Sequence, residues 1–357
     1  MANFAYLSVK KLRDDGNDSE LLMNTNPHPS SDPLLYDPSL KHEYPKWIRF
    51  YNTSNKIWPL QIIKIMREDY DLIHSYVELP IFANLSFKKF VVTCQGSDLT
   101  RLAFAPTMKG FLLRCAYKKA KAIICPTVGC FPLLSKLKLD NGIFIPSIVD
   151  LQRFSPEKNQ NPSNEKFTVF HPTSQLWNIK GNDKFLHGFK KFVKKFPKSK
   201  LIIVLHNADS KKTKLLIRDL HLEEFTEYIK GPLNVDDLKK YYANSDVVAD
   251  QFLATDLGGI GREVLSMKKP LLTSCLVEKY EQVFGSVLPI ASAFTPDEIA
   301  AKLELLTDSH FRKKLAQDGY SWIHKNFNPN LVSKKLQFVY EKILSTQKIN
   351  EIRANLP

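Results

Sequence analysis

The chain has 357 residues, 43% of them hydrophobic and 25% charged, which excludes a disordered or collagen-like protein and is long enough for two cores. It carries 51 Lys and Arg against 37 Asp and Glu, a formal charge of +14. The excess is spread over both halves (19 against 14 in residues 1–150, 32 against 23 beyond), so it suits an anionic membrane, anionic ligands or nucleic acid without choosing among them.

No apolar run approaches the roughly 20 residues needed to span a bilayer, and the amino terminus shows no cleavable signal pattern. The expected home is therefore the cytoplasm, with peripheral contact at the inner face of the membrane as a further expectation. The five cysteines (Cys94, Cys115, Cys125, Cys130, Cys275) include no C-x-x-C pair and have no histidines at zinc spacing. They read as buried thiols.

Along the chain, "NFAYLSVKKLRDDGNDSELLM" (3–23) places Ala5, Val9 and Leu12 on one helical face, with a stop at Gly16 and a strand over Glu20–Met23. The sequence thus opens inside a helix, and the strand that normally begins a doubly wound domain and lies mid-sheet is missing. Two explanations stand, a start codon further upstream, which is preferred, or a naturally short product. "YDLIHSY" (70–76), "KFVVTCQG" (89–96), "KAIICPT" (121–127) and "GIFIPS" (142–147) then read as short buried strands. The polar stretch "SPEKNQNPSNEK" (155–166) reads as a linker or exposed loop. After it "FTVFHP", "KLIIVLHN", "TEYIKG", "SDVVADQF" and "PLLTSC" alternate with helical stretches. This alternation predicts parallel sheets covered by helices on both faces. A last helix, "LVSKKLQFVYEKIL" (331–344), has Val332, Leu336, Val339 and Ile343 at helical spacing, and the tail beyond Gln347 is expected to fray.

Three segments of the later half carry chemistry. In "FHPTSQLWNIKGNDKFLHGF" (170–189), Lys180-Gly181 falls where a strand hands over to a helix. An ammonium there can hold phosphate and glycine lets backbone approach it, although alone the pair reads as a solvated lysine beside a turn. In "DLGGIGREVLSMKKP" (256–270), Gly258, Gly259 and Gly261 precede a helix whose free amides attract an anion, with Glu263 in its first turn. In "KGPLNVDDLKKYYANSDVVAD" (230–250), Gly231-Pro232 ends a strand and Asp236–Tyr242 forms a short helix. Loops at strand carboxyl ends are where such sheets receive ligands.

The order and spacing of these blocks resemble the carboxyl-terminal domain of family 4 glycosyltransferases, the retaining enzymes of GT-B fold. "VVTCQGSDLTRL", "AYKKAKAIICPT" and "IFIPSIVDLQRFSP" resemble the amino-terminal domain and hinge entry of the same family, so the likeness spans roughly residues 1–340. It implies an α/β protein of two Rossmann-like domains facing a cleft. The first, 1–154, is on the acceptor side, with the helix at about 328–347 packing back on it; the second, 155–327, binds the donor. It implies retaining transfer of a sugar from a nucleotide diphosphate to a glycan, polysaccharide or lipid-linked acceptor, with no metal and no cofactor. Lys180 and Gly181 would cradle the diphosphate with the amides around Gly258, Gly259 and Ile260. Glu263 would bind ribose hydroxyls, and backbone near Gly231 and Leu233 would flank the base. Asp98, Gln95 and Asp256 would carry the catalytic roles.

Departures from the family pattern are specific. Thr255 stands where an E-x7-E spacing puts the first glutamate, with Asp256 beside it. Gln95 replaces the histidine before Gly96-Ser97-Asp98, and glutamine is no general base. Ser174 and Gln175 occupy the region of a usual arginine. These changes keep open a second reading, a catalytically lapsed GT-B protein serving as a binding subunit. A nucleic-acid binder rests on charge alone, without an RNP, zinc or helix-turn-helix signature. "KKFVKKFPKSK" (190–200) is better read as a helix with Phe192 and Phe196 facing the core and a solvated basic face. Asp246 and Asp250 are too far apart for a D-x-D metal pair, and His74, His171 and His206 lack metal spacing.

Overall fold

A computed structural model describes residues 3–28, 31–94, 96–156 and 166–357. They form two compact units: Met1–Ile148 with Pro329–Pro357, and Val149–Asn328.

In the first unit, helix α1 (Phe4–Asp14) is followed by strands β1 (Leu21–Asn24), β2 (Ile48–Tyr51), β3 (Ile73–Tyr76) and β4 (Phe90–Thr93), the short helix α2 (Ser97–Thr100), then β5 (Ile123–Cys125) and β6 (Gly142–Phe144). The apolar, β-branched run of β4 is buried on both faces, as in a sheet covered by helices on either side. The strands form two separate parallel pieces, β1-β2 and β3-β4-β5-β6.

In the second unit come β7 (Phe167–His171), the single-turn helix α3 (Trp177–Lys180), α4 (Asn182–Lys195), β8 (Ser199–Leu205), β9 (Thr226–Lys230), α5 (Val235–Ala243), β10 (Val247–Ala249), α6 (Gly259–Ser266), β11 (Leu271–Thr273) and β12 (Ala291–Ser292). They make one continuous parallel sheet in the order β12-β11-β10-β7-β8-β9. Counting from the unit's first strand this is the doubly wound order 3-2-1-4-5-6, with the chain reversing direction across the sheet between β7 and β10. Phe185, Phe189 and Phe192 of α4 are buried against Val169, Leu201 and Ile203. Phe196 packs against the same core, while Lys191 and Lys195 reach Asp297 and Glu304. The lysine-rich stretch is thus a helix with an apolar inner face.

The chain then returns to the first unit as α7 (Pro329–Leu344) and α8 (Ile349–Ala354). Val332, Leu336, Val339 and Ile343 are buried against Val91, Ile124 and Ile143.

Three details differ from the sequence reading. The tail beyond Gln347 is not frayed: Ile352 is buried, and Arg353 donates to the carbonyl oxygens of Gly142 and Asp140. The buried positions of α1 are Tyr6, Ser8 and Leu12, not Ala5 and Val9. Tyr6 goes inside because its ring stacks on Trp47 and its hydroxyl donates to Asp37. Strand β2 escaped the reading because Arg49 interrupts "IRFY"; its guanidinium is paired with Glu68 at the sheet margin.

Candidate donor-binding site at the strand reversal of the second unit

The carboxyl ends of β7 and β10 border the reversal point, and the segments leaving them supply the candidate residues. Lys180 ends α3 rather than lying in an open loop, and Gly181 follows with φ +66°. That left-handed conformation suits glycine, and a Cβ there would also come within 3.0–3.3 Å of Leu253 and Phe252. The tight fit is sealed by the Phe252 amide, which donates to the Lys180 carbonyl at 2.6 Å. The exit segment of β10 is thereby locked onto Lys180-Gly181.

The Lys180 ammonium donates to Gln251 Oε1 at 2.8 Å, and Gln251 Nε2 donates to the Asp256 carbonyl at 3.1 Å. Beside them Asp250, only 2% exposed, accepts from Thr173 Oγ1 at 2.6 Å. Gly258 sits against this group: an added Cβ would lie 2.9 Å from Asp250 Oδ2 and 3.3 Å from Gln251 Nε2. The requirement for glycine at this position is steric. Gly258 is also the N-cap of α6, with no side chain to satisfy the first amides of the helix. The amino end of α6, including Gly259 and Ile260, therefore presents main-chain N–H groups next to the Lys180–Gln251 pair, the arrangement that favours an anion.

Glu263 lies in the second turn of α6, not the first, because the helix begins at Gly259. Its Oε2 accepts from the Tyr242 hydroxyl at 3.0 Å. Tyr242 packs edge-on against Phe170 of β7, and Tyr241 stacks on the same ring. Burial raises the pKa of the Glu263 carboxyl. Burial likewise raises that of Asp250, against the lowering influence of Lys180 and Arg262. Arg262 is itself buried, which lowers its pKa, and it lies within electrostatic reach of Glu263, Asp256 and Asp250. Its guanidinium sits 6.0 Å from the ring centre of Phe327. Asp250 lies within electrostatic reach of both Lys180 and Glu263.

Other candidates fall elsewhere. Gly261 is a packing glycine, since its Cβ would lie 2.6 Å from Leu257 and 3.0 Å from Leu271. Asp256 is partly buried and Thr255 exposed. Leu233, partly exposed, follows Gly231, whose Cβ would press on Val204 and His206. In the first unit, Asp98 is 1% exposed and accepts from the Tyr117 hydroxyl at 3.0 Å. Gln95 lies outside the described residues. Gln175 is buried, donating to the carbonyls of Thr173 and Val204 and accepting from Thr213. Asp246 is paired with Arg312.

Sequence reasoning missed Asp250, Gln251, Tyr242 and Arg262. The signal for the first two was their place immediately after the "VVA" of β10, at a strand carboxyl end.

No family model matches the sequence, and no curated protein matches it. Solved structures do match. HepE from Anabaena, solved with UDP and glucose, superposes with a TM-score of 0.74 at 14% identity, over 97% of this chain and 96% of HepE. A glycosyltransferase from Rickettsia africae gives 0.72 at 15% identity, over 96% and 95%. Sucrose-phosphate synthase from Thermosynechococcus elongatus gives 0.70 at 14% identity, over 95% and 92%. At these identities the likeness defines the fold, which is GT-B with two Rossmann-like domains.

Proposed function

We propose that the protein is a glycosyltransferase that takes a sugar from a nucleotide diphosphate and passes it, with retention at the anomeric carbon, to a glycan or lipid-linked acceptor. The observation that carries this reading is the meeting of Lys180 with the uncapped, glycine-started end of α6 at the strand reversal of the second unit. HepE, which shares the fold, was solved with UDP and, separately, with UDP-glucose.

In this reading Lys180 and the amides of Gly258, Gly259 and Ile260 hold the diphosphate. As the bond to the sugar breaks, negative charge grows on the leaving diphosphate. Donors already fixed in place stabilise it without reorganising. Gly181 keeps Lys180 against the β10 exit. Glu263, oriented by Tyr242, offers a carboxylate to hydroxyl donors of the ribose, and backbone near Leu233 flanks the base. Asp256 lies next to the α6 amides and serves sugar recognition in place of the acid missing at Thr255. The site needs no metal in this scheme. The basic surface suits an anionic membrane as the place of work, and no helix among the described residues is long and apolar enough to cross one.

Calorimetric titration with UDP tests the reading. Lys180→Ala should weaken UDP binding about 10- to 150-fold, the equivalent of about 1.5–3 kcal/mol for a hydrogen bond to a charged group. Unchanged affinity would overturn the assignment of the diphosphate to this corner. Retention is checked separately, by the anomeric configuration of the transferred sugar in the product.

A further inference from the structure

Three helices of the first unit carry more apolar surface than the core beneath them takes up. Trp58–Met66 follows β2, Pro80–Leu85 follows β3, and Met108–Lys119 follows β4 and α2. They pack side by side in that order. Trp58 sits edge-on to Phe82 at 5.2 Å, and Lys109 is paired with Glu78. Each helix returns from a strand of a parallel pairing, so the three amino ends lie together at the carboxyl edge of the strands.

Met108–Lys119 shows the excess most plainly. Its inner face is Gly110, Leu113, Ala116 and Tyr117, all buried at helical spacing. Gly110 lets the helix lie close to the preceding turn, where a Cβ would come 2.4 Å from the Ala105 carbonyl oxygen. That stripe meets the core. Yet Met108, Phe111 and Leu112 on the other side are 72%, 52% and 38% exposed. Ile57 and Leu60, at the start of the first helix, are exposed as well. So is Val77, in the turn that enters the middle helix, where φ is +57°. A left-handed conformation is costly for a β-branched residue. Large apolar side chains thus stand in water at one end of one helical layer, a grouping that marks an interaction surface where scattered single ones would not.

Charge decides what covers them. Residues 56–66 and 100–119 contain no Asp or Glu, and Glu78 before the middle helix is taken up by Lys109. Lys56, Arg101, Lys118 and Lys119 are exposed. Lys118 and Lys119 fall seven residues beyond Phe111 and Leu112, on the same helical face two turns away. An apolar tip bordered by flexible cations fits a boundary where hydrocarbon lies beside anionic headgroups. Lysine stems run along the apolar layer while the ammonium groups stay with the phosphates.

We infer that this corner of the first unit is a membrane-docking surface. Ile57, Leu60, Val77, Met108, Phe111 and Leu112 enter the acyl boundary of a bilayer, and Lys56, Arg101, Lys118 and Lys119 lie among anionic lipid headgroups. The inference names the face that meets the lipid, and it rests on the sugar-transfer reading only for its purpose.

Co-sedimentation tests it, with vesicles of about 30% phosphatidylglycerol in phosphatidylcholine at about 0.1 M salt. The full chain should bind these vesicles, and bind pure phosphatidylcholine at least about tenfold more weakly. Met108→Ser, Phe111→Ser and Leu112→Ser together should lower binding at least about tenfold, as much as full burial of one such side chain supplies. Lys118→Glu with Lys119→Glu should remove most of the preference for anionic vesicles. As a control, Leu215→Ser with Leu305→Ser, at exposed positions of the second unit, should bind as the unaltered chain does. UDP titration of the serine triple should match the unaltered chain, which keeps a folding defect from passing as lost docking. No vesicle binding by the unaltered chain, or equal binding by the serine triple, would overturn the inference. Self-association that the serine triple abolishes, without vesicle binding, would assign the face to a second copy and overturn it too. Vesicle binding lost in the serine triple, from a chain that binds no UDP, would uphold the docking face and break the sugar-transfer reading alone.

Discussion

The two units use the same alternation of strand and helix, and their sheets differ in the middle. In the second unit β7 fills that place, and the segment leaving its carboxyl end delivers Lys180 and Gly181 to the α6 amides. In the first unit no described strand lies between β1 and β3. The lesson is that a doubly wound sheet concentrates its binding chemistry at the reversal point.

Stability measurements can sharpen this contrast. The largest effect is expected from Phe185→Ala, because Phe185 is fully buried beneath β7 and stacks on both His171 and Phe252. Urea unfolding should show a loss of about 3–5 kcal/mol in the transition of the second unit. Gly258→Ala should cost about 1–3 kcal/mol, since Asp250 must give way to the new methyl group. It should also weaken UDP binding, which calorimetry reads directly.

A pH series probes the histidines beside the two sheet centres. Burial lowers the pKa of His171 in β7 to about 4 and that of His74 in β3 to about 3. An unfolded histidine titrates near 6.5, so between those values the unfolded chain binds the proton and the folded chain does not. Stability should fall as pH drops from about 6.5, by about 1.4 kcal/mol per pH unit for each histidine. The contribution of His171 should level off near pH 4 and that of His74 near pH 3. Urea midpoints of His171→Gln against pH should lose one histidine's share of the slope while His74 keeps its own. The smallest effect belongs to Leu22→Ala on the half-buried β1, about 1 kcal/mol. A loss as large as that of Phe185→Ala would mean that β1 is already enclosed on both sides.

Much of this architecture was legible in the sequence. Runs such as "FTVFH" and "VVA" are β-branched or aromatic and lie between polar loops, as doubly buried strands must. The spacing of Val332, Leu336, Val339 and Ile343 likewise marks one apolar helix face. Strand β2 was hidden because Arg49 sits within it and finds its partner far along the chain. The inner face of α1 was hidden because Tyr6 and Ser8 are polar residues whose partners, Asp37 and Tyr76, are remote in sequence.

At the site, Lys180-Gly181 and Gly258 could be read from glycine at a strand-to-helix junction. Gly258 and Gly261 could not be told apart by sequence, since one abuts carboxylate and amide side chains and the other abuts leucines. Asp250 and Gln251 looked like the end of a strand, and only the packing of β10 beside β7 brings them to Lys180. The enclosure of Asp98 was equally invisible, because it depends on a tyrosine hydroxyl from a different helix.

The return of α7 to the first unit has a consequence for the order of assembly during synthesis. The second unit is one uninterrupted stretch, Val149–Asn328, and can complete its core as soon as it has left the ribosome. The first unit, although translated earlier, leaves Val91, Ile124 and Ile143 without their helical cover until Val332 to Ile343 emerge. A nascent chain halted ahead of Pro329 should therefore hold a finished second unit and a protease-sensitive first one, the reverse of the usual amino-end-first sequence.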